Sequence, residues 1–470
     1  MGSYLVIAPE IIVLVAAIAV LFVDVAFPRS ERAAAWIGAA LAGAAGVVAM
    51  RVGMGKVPLF GDQFAVDTIG RFGRVSSALL AALFLVWLAG TGLKRASAMP
   101  QFTSLVLFTT LGGMLMASAQ DWVVLLLALE TATMPAYVLM GFDRDRERSL
   151  EGALKYFLLS MVASLLFLYG LSFVIGTSGS TLFSKTHMAT GNAGLIAALF
   201  LVAGLLSKLS AAPFHWWSPD AYAGAPSPSV AFVSSVPKIA GVIAFGRLVQ
   251  YVAPQVPMLW ALLAVAAVAS LLIGNLAAYP QDDLKRLMGY SGVAHAGYLL
   301  VGLAAAARVA SSSAAAAGVG LAAAVFYAVA YAIPSMAVMF VVAGEGGTMD
   351  CFHGLAKRKP WVAWVTVLLL VSLVGVPPLA GFAGKLYLFG AAVSAQLSWL
   401  ALFSLVMSVV SAGFYFRIVR AMFFSEPAKD APEAGSSAVA SFALVVCTVA
   451  IVAIGVAASP LLAALGFTLS

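Results

Sequence analysis

Continuous apolar runs of roughly 20 residues follow one another along the whole chain, and they constrain its fold more than any other feature. Such a run forms a helix long enough to cross the hydrocarbon core of a bilayer. The 470-residue chain is 63% hydrophobic and only 10% charged, with a mean hydropathy of +1.04. Soluble globular proteins do not have this composition. The sequence therefore predicts an integral membrane protein.

The apolar runs predict about 14 transmembrane segments, numbered here in chain order. The runs lack the alternating pattern of a transmembrane barrel wall, so we expect an all-α bundle. We expect one polytopic membrane domain over residues 1–470. Within it we place three helices in 1–100, a five-helix unit in 101–252, a second five-helix unit in 253–425 and a last helix in 426–470.

Two of the segments are too irregular to form one straight helix. Segment 12, residues 361–394, would be far longer than a hydrocarbon core of about 30 Å, and it carries Pro377 and Pro378 in its middle. Segment 7, residues 192–217, runs into a proline-rich stretch that includes Pro213. Proline removes a backbone donor and clashes with the preceding turn, so we expect both helices to be broken. Interrupted helices at corresponding places in two halves are typical of a transport site.

A short internal similarity predicts how the two halves are related. YVLMGF (137–142) is similar to YLLVGL (298–303), and the separation between them corresponds to about five helices with their loops. Segments 7 and 12 are also five segments apart. An odd number of helices places a second copy upside down in the membrane. We therefore expect two inverted five-helix repeats, segments 4–8 and 9–13.

Basic residues are distributed unevenly between the loops. Most Lys and Arg outside the apolar runs follow odd-numbered segments, as in RDRER (144–148) and KRK (357–359). The positive-inside rule places these loops in the cytoplasm and both chain termini on the periplasmic side. The formal net charge of +7 is explained by this topology signal and does not indicate a nucleic-acid partner.

Charged residues also occur inside the apolar stretches, where each costs on the order of 3 kcal/mol on insertion scales. They are Glu130, Lys155, Lys208, Lys238 and Lys385. Such residues usually line an ion or proton pathway. Lys208 precedes the break in segment 7, and Glu130 on segment 5 is its candidate counter-charge. A nearby charge alters the proton affinity of a buried lysine, so the two predict a switchable pair or else a static structural ion pair.

Three further residues extend this interpretation. Lys238 in segment 8 (228–251) has no acidic residue in its own segment and is the candidate for the middle of a proton relay. Lys385, beyond the proline break of segment 12, is the candidate for its terminal group. His295 on segment 10 titrates near neutrality when unperturbed and is either a bridge between these lysines or a structural histidine. Lys155, near a cytoplasmic helix end, is either an additional relay group or a snorkelling side chain.

Motifs for electron transfer or cofactor binding are missing from the sequence. The chain has two cysteines, Cys351 and Cys447, and neither has enough ligand-spaced partners for a zinc or iron–sulfur site. The sequence carries no P-loop and no dinucleotide-binding fingerprint in a strand–helix setting. We therefore expect no metal, no cofactor and no redox centre in this chain.

Five blocks of the chain resemble the antiporter-like membrane subunits of respiratory complex I, the NADH-quinone oxidoreductase, and among these the subunit N type. The blocks are LETATMPAYVLMGF (129–142), EGALKYFLLS (151–160), FHWWSPDAYAGAPSPSVAFVSSVPK (214–238), LKRLMGYSGVAHAGYLLVGL (284–303) and VGVPPLAGFAGKLYLF (374–389). Two positions separate the types within the family. Tyr222 matches subunit N, where the L and M types usually carry His, and Lys385 matches subunit N, where the M type has Glu.

This resemblance implies a proton-translocating subunit whose relay consists of Glu130, Lys208, Lys238 and Lys385. It implies a multi-pass protein of the bacterial inner membrane, with lipids and other complex I membrane subunits as partners, among them subunits M, K and J. Quinone, NADH, flavin and iron–sulfur clusters would be bound by partner subunits. Three alternatives stay open. An Mrp-type sodium/proton antiporter would carry the same lysines, and a hydrogenase-linked homologue is a second possibility. A structural spacer of a larger complex would tolerate neutral residues at Glu130 and Lys238.

Overall fold

The computed structural model describes residues 4–23, 32–53, 55–59, 62–93, 95–427 and 437–464. Most of these residues are helical. In chain order the helices are α1 (Ala8–Ala19), α2 (Ala33–Arg51), α3 (Thr68–Thr91), α4 (Met99–Ser118), α5 (Trp122–Met140), α6 (Glu147–Ser178), α7 (Asn192–Leu209), α8 (Trp217–Gly224), α9 (Ser227–Val233), α10 (Val236–Val252), α11 (Leu259–Ala278), α12 (Leu284–Val309), α13 (Ala314–Glu345), α14 (Leu355–Arg358), α15 (Pro360–Val374), α16 (Ala380–Ser394), α17 (Ser398–Phe424), α18 (Ala438–Val456) and α19 (Ala458–Ala464).

The helices confirm the predicted all-α membrane fold. Within the described part of the chain, 13 helical spans are long and apolar enough to cross a membrane, with α9 and α10 forming one of them. The shorter helices α15 and α16 occupy the predicted segment 12. The chain is therefore a multi-pass membrane protein.

A small antiparallel hairpin between α2 and α3 is an addition to this helical fold. Strand β1 (Gly55–Leu59) pairs with β2 (Phe64–Val66), and Phe64 also forms a bridge to Ala119 after α4. Phe64 and Val66 are buried. The hairpin lies between apolar segments, in a short stretch whose sequence predicted only a loop.

Aspartate side chains cap corresponding helices in the two halves of the chain. Asp121 accepts hydrogen bonds from the amides of Val123 and Val124 at the start of α5. Asp283 accepts one from the amide of Arg286 at the start of α12. Such caps satisfy amide groups that a helix leaves unpaired, and each stabilises its helix by about 1 kcal/mol.

Glycines bring helices into close contact at corresponding places in the two halves. A Cβ atom on Gly112 of α4 would lie 2.3 Å from the Ala132 nitrogen on α5. One on Gly274 of α11 would lie 2.4 Å from the Ala294 nitrogen on α12. The two glycines are as far apart in sequence as the two alanines, so one packing contact occurs twice along the chain.

Both predicted helix breaks are present. α7 ends at Leu209, where Ser210 adopts a left-handed backbone conformation with φ of 60°, and Pro213 lies in the interruption before α8. α15 ends at Val374, and Pro377 and Pro378 lie between it and α16. The first break comes earlier than its proline requires, so Lys208 is the next-to-last residue of α7.

A third interruption, in segment 8, differs from the continuous helix expected there. α9 ends at Val233 and α10 begins at Val236. Between them, the Ser234 hydroxyl donates to the Ala231 carbonyl at 3.1 Å, and the Ser235 hydroxyl donates to Phe232 at 2.8 Å. Serine hydroxyls that bond to nearby carbonyls compete with the helical pattern. The interruption lies directly before the turn that carries the central lysine.

Candidate functional site

Four of the five predicted intramembrane charges lie inside the helix bundle. Lys208, Lys238 and Lys385 are each at most 8% exposed, and the side chain of Glu130 is 19% exposed. These residues belong to α7, α10, α16 and α5, so helices from both halves of the chain contribute to the site.

The predicted pair of Lys208 and Glu130 is formed and lies in a network of hydroxyl groups. Lys208 Nζ is 3.6 Å from Glu130 Oε1. It donates to Ser160 Oγ at 2.8 Å, Ser164 Oγ at 3.0 Å and Tyr137 Oη at 3.3 Å. Ser164 also donates to Glu130 Oε1 at 2.6 Å. Hydroxyl groups both donate and accept, so this network can hold the lysine when the carboxylate interaction weakens.

Lys238 has fewer polar partners than Lys208. Its Nζ donates to the Gly292 carbonyl of α12 at 3.0 Å and lies 5.2 Å from the centre of the Tyr331 ring on α13. An ammonium group has three donors, and Gly292 is an acceptor for one of them. A Cβ atom on Gly292 would lie 2.7 Å from Nζ, so glycine leaves the space that the amine occupies.

Lys385 is held by the broken end of segment 12. Its Nζ donates to the carbonyls of Leu373 at 3.1 Å and Val374 at 2.8 Å, and to Ser408 Oγ at 2.8 Å. The carbonyls belong to the last turn of α15, where backbone acceptors have no helical partner. This end of a helix dipole is negative and favours a cation. The ring centre of Tyr298 lies 4.4 Å from Nζ.

His295 contacts the tyrosines around the two lysines. Its Nδ1 is 2.7 Å from the hydroxyl of Tyr327, and its Nε2 is 3.2 Å from that of Tyr415. Its ring stacks on Tyr331 at 4.4 Å and meets Tyr298 edge-on at 5.8 Å. Tyr331 lies next to Lys238 and Tyr298 next to Lys385, so His295 contacts an aromatic neighbour of each lysine.

Lys155 has a different environment from the other three lysines. Its side chain is 43% exposed and lies 2.7 Å from Glu151 and 2.8 Å from Asp220. Asp220 on α8 also contacts Arg286 on α12 at 2.9 Å. This half-exposed network connects α6, α8 and α12. The sequence suggested Glu151 as a neighbour of Lys155 but gave no indication of Arg286.

Sequence reasoning missed a fully buried charge, Arg74 on α3. Its Nε and Nη2 atoms each lie 2.6 Å from a carboxylate oxygen of Glu10 on α1, and Nη2 also donates to the Val6 carbonyl at 2.7 Å. The arginine lies close to the start of an apolar segment, where a basic residue is ordinary. The pair connects two of the first three helices and involves none of the relay candidates.

The chemistry available at the site is proton binding and release. Amines, one carboxylate, one imidazole and several hydroxyls lie close together in an apolar bundle. Among the residues that the structure describes, no three His, Cys, Asp or Glu side chains lie close enough to hold a metal ion.

Comparison with known proteins gives one consistent family. The family described as "NADH:quinone oxidoreductase/Mrp antiporter, TM" matches residues 119–411. A Rubrobacter xylanophilus protein named NADH-quinone oxidoreductase subunit N is 37% identical over 413 residues, which cover 85% of this chain and 84% of that protein. A chain of respiratory complex I from Thermus thermophilus with bound aureothin is similar at 30% identity, with a TM-score of 0.82 and coverage of 97% and 99%.

A solved structure from another kind of assembly has the same fold. A chain of the Mrp complex from Dietzia sp. aligns with a TM-score of 0.84 and covers 98% of this chain and 96% of its own length. The sequence identity is 21%, so this likeness concerns the fold alone.

Proposed function

The chain belongs to the NADH-quinone oxidoreductase subunit N family, and from this we propose that it is a proton-translocating membrane subunit of such an oxidoreductase. Quinone reduction in partner subunits would drive proton movement through this chain. The observation that carries the proposal is the set of three buried lysines and Glu130 inside an apolar bundle, with hydroxyls and aromatic rings beside the charged groups.

The contacts favour different resting charges on the three lysines. Lys208 and Lys385 each have three hydrogen-bond acceptors, which matches the three donors of an ammonium group. Lys238 has the single Gly292 carbonyl, which suits a neutral amine better. Three cations in one apolar bundle would also repel one another in a medium of low dielectric constant. We therefore propose a neutral Lys238 between two charged lysines.

A change of charge near Glu130 starts the proposed transfer. When the attraction between Glu130 and Lys208 weakens, the Lys208 ammonium loses stabilisation and releases a proton. The neutral Lys238 takes up this proton at Nζ. The Lys385 ammonium releases its own proton towards the periplasm. The neutral amine that remains then takes up the proton of Lys238, which moves past His295 through hydroxyl groups and water.

The inverted repeats of segments 4–8 and 9–13 belong to the same proposal. Corresponding positions support them: the capping residues Asp121 and Asp283, and the close contacts of Gly112 and Gly274. Each half also has a broken helix with a buried lysine near the break. Lys208 lies before the first break and Lys385 lies after the second. Two opposed repeats around a buried site are a common architecture of transporters.

We propose a position in the bacterial plasma membrane, with both termini on the periplasmic side. The basic loops at 144–148 and 357–359 support this orientation under the positive-inside rule. Neighbouring membrane subunits, M, K and J among them, would flank the chain. Partner subunits would hold the NADH, flavin, iron–sulfur clusters and quinone.

The antiporter alternative has less support. Likeness to the Mrp complex comes at 21% identity, whereas curated relatives at 34–37% identity carry the oxidoreductase subunit name. A hydrogenase-linked homologue would differ in gene neighbourhood. A structural spacer would tolerate neutral residues at Glu130 and Lys238.

The assembled complex with Lys208→Ala, reconstituted in lipid vesicles, tests the proposal. We expect proton pumping to be lost together with quinone-coupled turnover, while NADH oxidation by an artificial acceptor continues in the partner subunits. Lys155→Ala is the matched control, since this lysine is half-exposed and has other partners. Full pumping by Lys208→Ala would contradict the proposal.

A further inference from the structure

Two of the three buried lysines, Lys385 and Lys238, lie over a tyrosine ring. The distances from Nζ to the ring centre are 4.4 Å for Lys385 and Tyr298 and 5.2 Å for Lys238 and Tyr331. Lys208 differs: its Nζ donates to the Tyr137 hydroxyl at 3.3 Å and is 6.0 Å from the ring centre, so it contacts the hydroxyl and not the face. The face of an aromatic ring is negative and attracts a cation within about 6 Å of its centre. This attraction increases when the pair is removed from water.

Two tyrosines, Tyr137 and Tyr298, begin the similar sequence blocks of the two halves of the chain. Tyr137 is the first residue of YVLMGF on α5, and Tyr298 is the first residue of YLLVGL on α12. In each half this tyrosine contacts the lysine of the broken helix. Tyr137 accepts a hydrogen bond from Lys208 through its hydroxyl, whereas Tyr298 presents its ring to Lys385. The similar blocks therefore place a tyrosine beside the lysine in both halves, with a different contact in each.

A ring face contributes most to the stability of a protonated lysine where no carboxylate lies beside that lysine. Glu130 lies beside Lys208, but the acceptors around Lys238 and Lys385 are carbonyls and a hydroxyl. Tyr298 and Tyr331 are each 1% exposed, so their rings are shielded from bulk water. A carboxylate would hold a proton on its lysine strongly, whereas a ring face attracts the ammonium without itself taking up a proton.

We propose that Tyr298 and Tyr331 are positioning residues whose ring faces stabilise the protonated forms of Lys385 and Lys238. Each ring allows a proton to reside on its lysine and still move on to the next group. The inference rests on the proposed function and assigns a part in it to two side chains outside the predicted relay. Tyr137 has no such part, because Lys208 contacts its hydroxyl and has Glu130 beside it.

Substitution with phenylalanine and then with mono-, di- and trifluorophenylalanine tests the ring face separately from the hydroxyl. Fluorine withdraws electrons from the ring and weakens its attraction for a cation with little change of shape. At position 298 or 331 in the assembled complex, we expect phenylalanine to retain most of the pumping. Pumping at alkaline pH should fall stepwise with fluorine, by about tenfold across the series.

The pH profile supplies a second readout. A weaker ring lowers the proton affinity of its lysine, which then loses its proton at a lower pH. The alkaline limb of the pumping profile should therefore move to lower pH by about one unit over the series. Loss of packing alone would lower the rate without moving this limb.

Tyr327 is the matched control position. It is 1% exposed and belongs to the same cluster, but its hydroxyl contacts His295 and no described lysine amine lies over its ring. At position 327, the fluorinated phenylalanines should give the same pumping rate and the same pH profile as phenylalanine.

Two outcomes would overturn the inference. A flat fluorinated series at both 298 and 331, or complete loss of pumping with phenylalanine alone, excludes the ring face as the active group. If Lys238→Ala and Lys385→Ala abolish pumping in the same preparation, the proposed function stands while the inference fails. Full pumping in those lysine variants would refute the proposed function itself.

Discussion

Glu130→Gln removes the carboxylate that contacts Lys208 and keeps the size of the side chain. At the separation of 3.6 Å between Nζ and Oε1, two unit charges attract by roughly 4–5 kcal/mol at an effective dielectric constant of about 20. Three hydroxyls remain around the ammonium, and the carboxylate is 19% exposed. We therefore expect the charged lysine to lose about half of this, roughly 2–3 kcal/mol, or about two orders of magnitude in proton affinity.

The assay is proton pumping by the reconstituted complex as a function of pH. A destabilised ammonium releases its proton at lower pH, so the profile should move by about two units to lower pH and pumping at neutral pH should fall. Glu130→Asp keeps the negative charge but moves it farther from Lys208. Its pH profile should lie between those of the wild type and Glu130→Gln.

Glu345→Gln is the matched control for this prediction. Glu345 is a buried carboxylate at the end of α13, paired with Lys359 at 2.7 Å and Arg358 at 3.3 Å. Its replacement should lower thermal stability without moving the pH profile. An unshifted profile and full pumping in Glu130→Gln would refute the reasoning, because the lysine would then not depend on its carboxylate.

Three further predictions concern the other charged groups. Glu10→Gln leaves Arg74 buried without its carboxylate and should destabilise the fold by about 3–5 kcal/mol; an unchanged unfolding temperature in detergent would contradict this. Burial raises the pKa of Asp67, but the adjacent Arg247 outweighs it, and the pKa lies below the ordinary 3.8. The wild type should therefore lose stability as pH falls below about 4, and Asp67→Asn should remove this dependence in acid unfolding curves. Lys155→Ala should keep more than half of the wild-type pumping rate, because its ion pairs are half-exposed; complete loss would place it in the relay.

The membrane fold and the helix breaks could be predicted because each follows from strong local energetics. The apolar runs indicate the approximate number of membrane crossings, because exposing such a run to water would cost too much free energy. Pro377 and Pro378 are adjacent, so two successive backbone donors are missing, and the helix ends before them at Val374. The gap between α9 and α10 was not predictable in this way. There, the hydroxyls of Ser234 and Ser235 bond to main-chain carbonyls and compete with the helical hydrogen bonds. The difference in free energy between the two arrangements is small.

The buried charged residues of the candidate site could be located from the sequence, but apart from the Lys208–Glu130 pair most of their contacts could not. A lysine in an apolar run is visible in the sequence because it is costly there. The partners of that lysine come from other helices, and their identity depends on helix packing. Tyr298 illustrates this. The sequence shows that it begins a block similar to the one that begins at Tyr137, but only the fold shows that Lys385 lies over its ring. Arg74 and Glu10 meet for the same reason, from different helices.

The number of protons pumped per NADH oxidised by the complex carrying Lys238→Ala tests the relay most directly. Lys238 lies between the Glu130–Lys208 pair and Lys385 in the proposed order, and it has no carboxylate of its own in the described structure. We predict that pumping by this variant is lost and that quinone-coupled turnover falls with it, while Lys155→Ala stays close to the wild type. A wild-type proton stoichiometry in Lys238→Ala would contradict the relay.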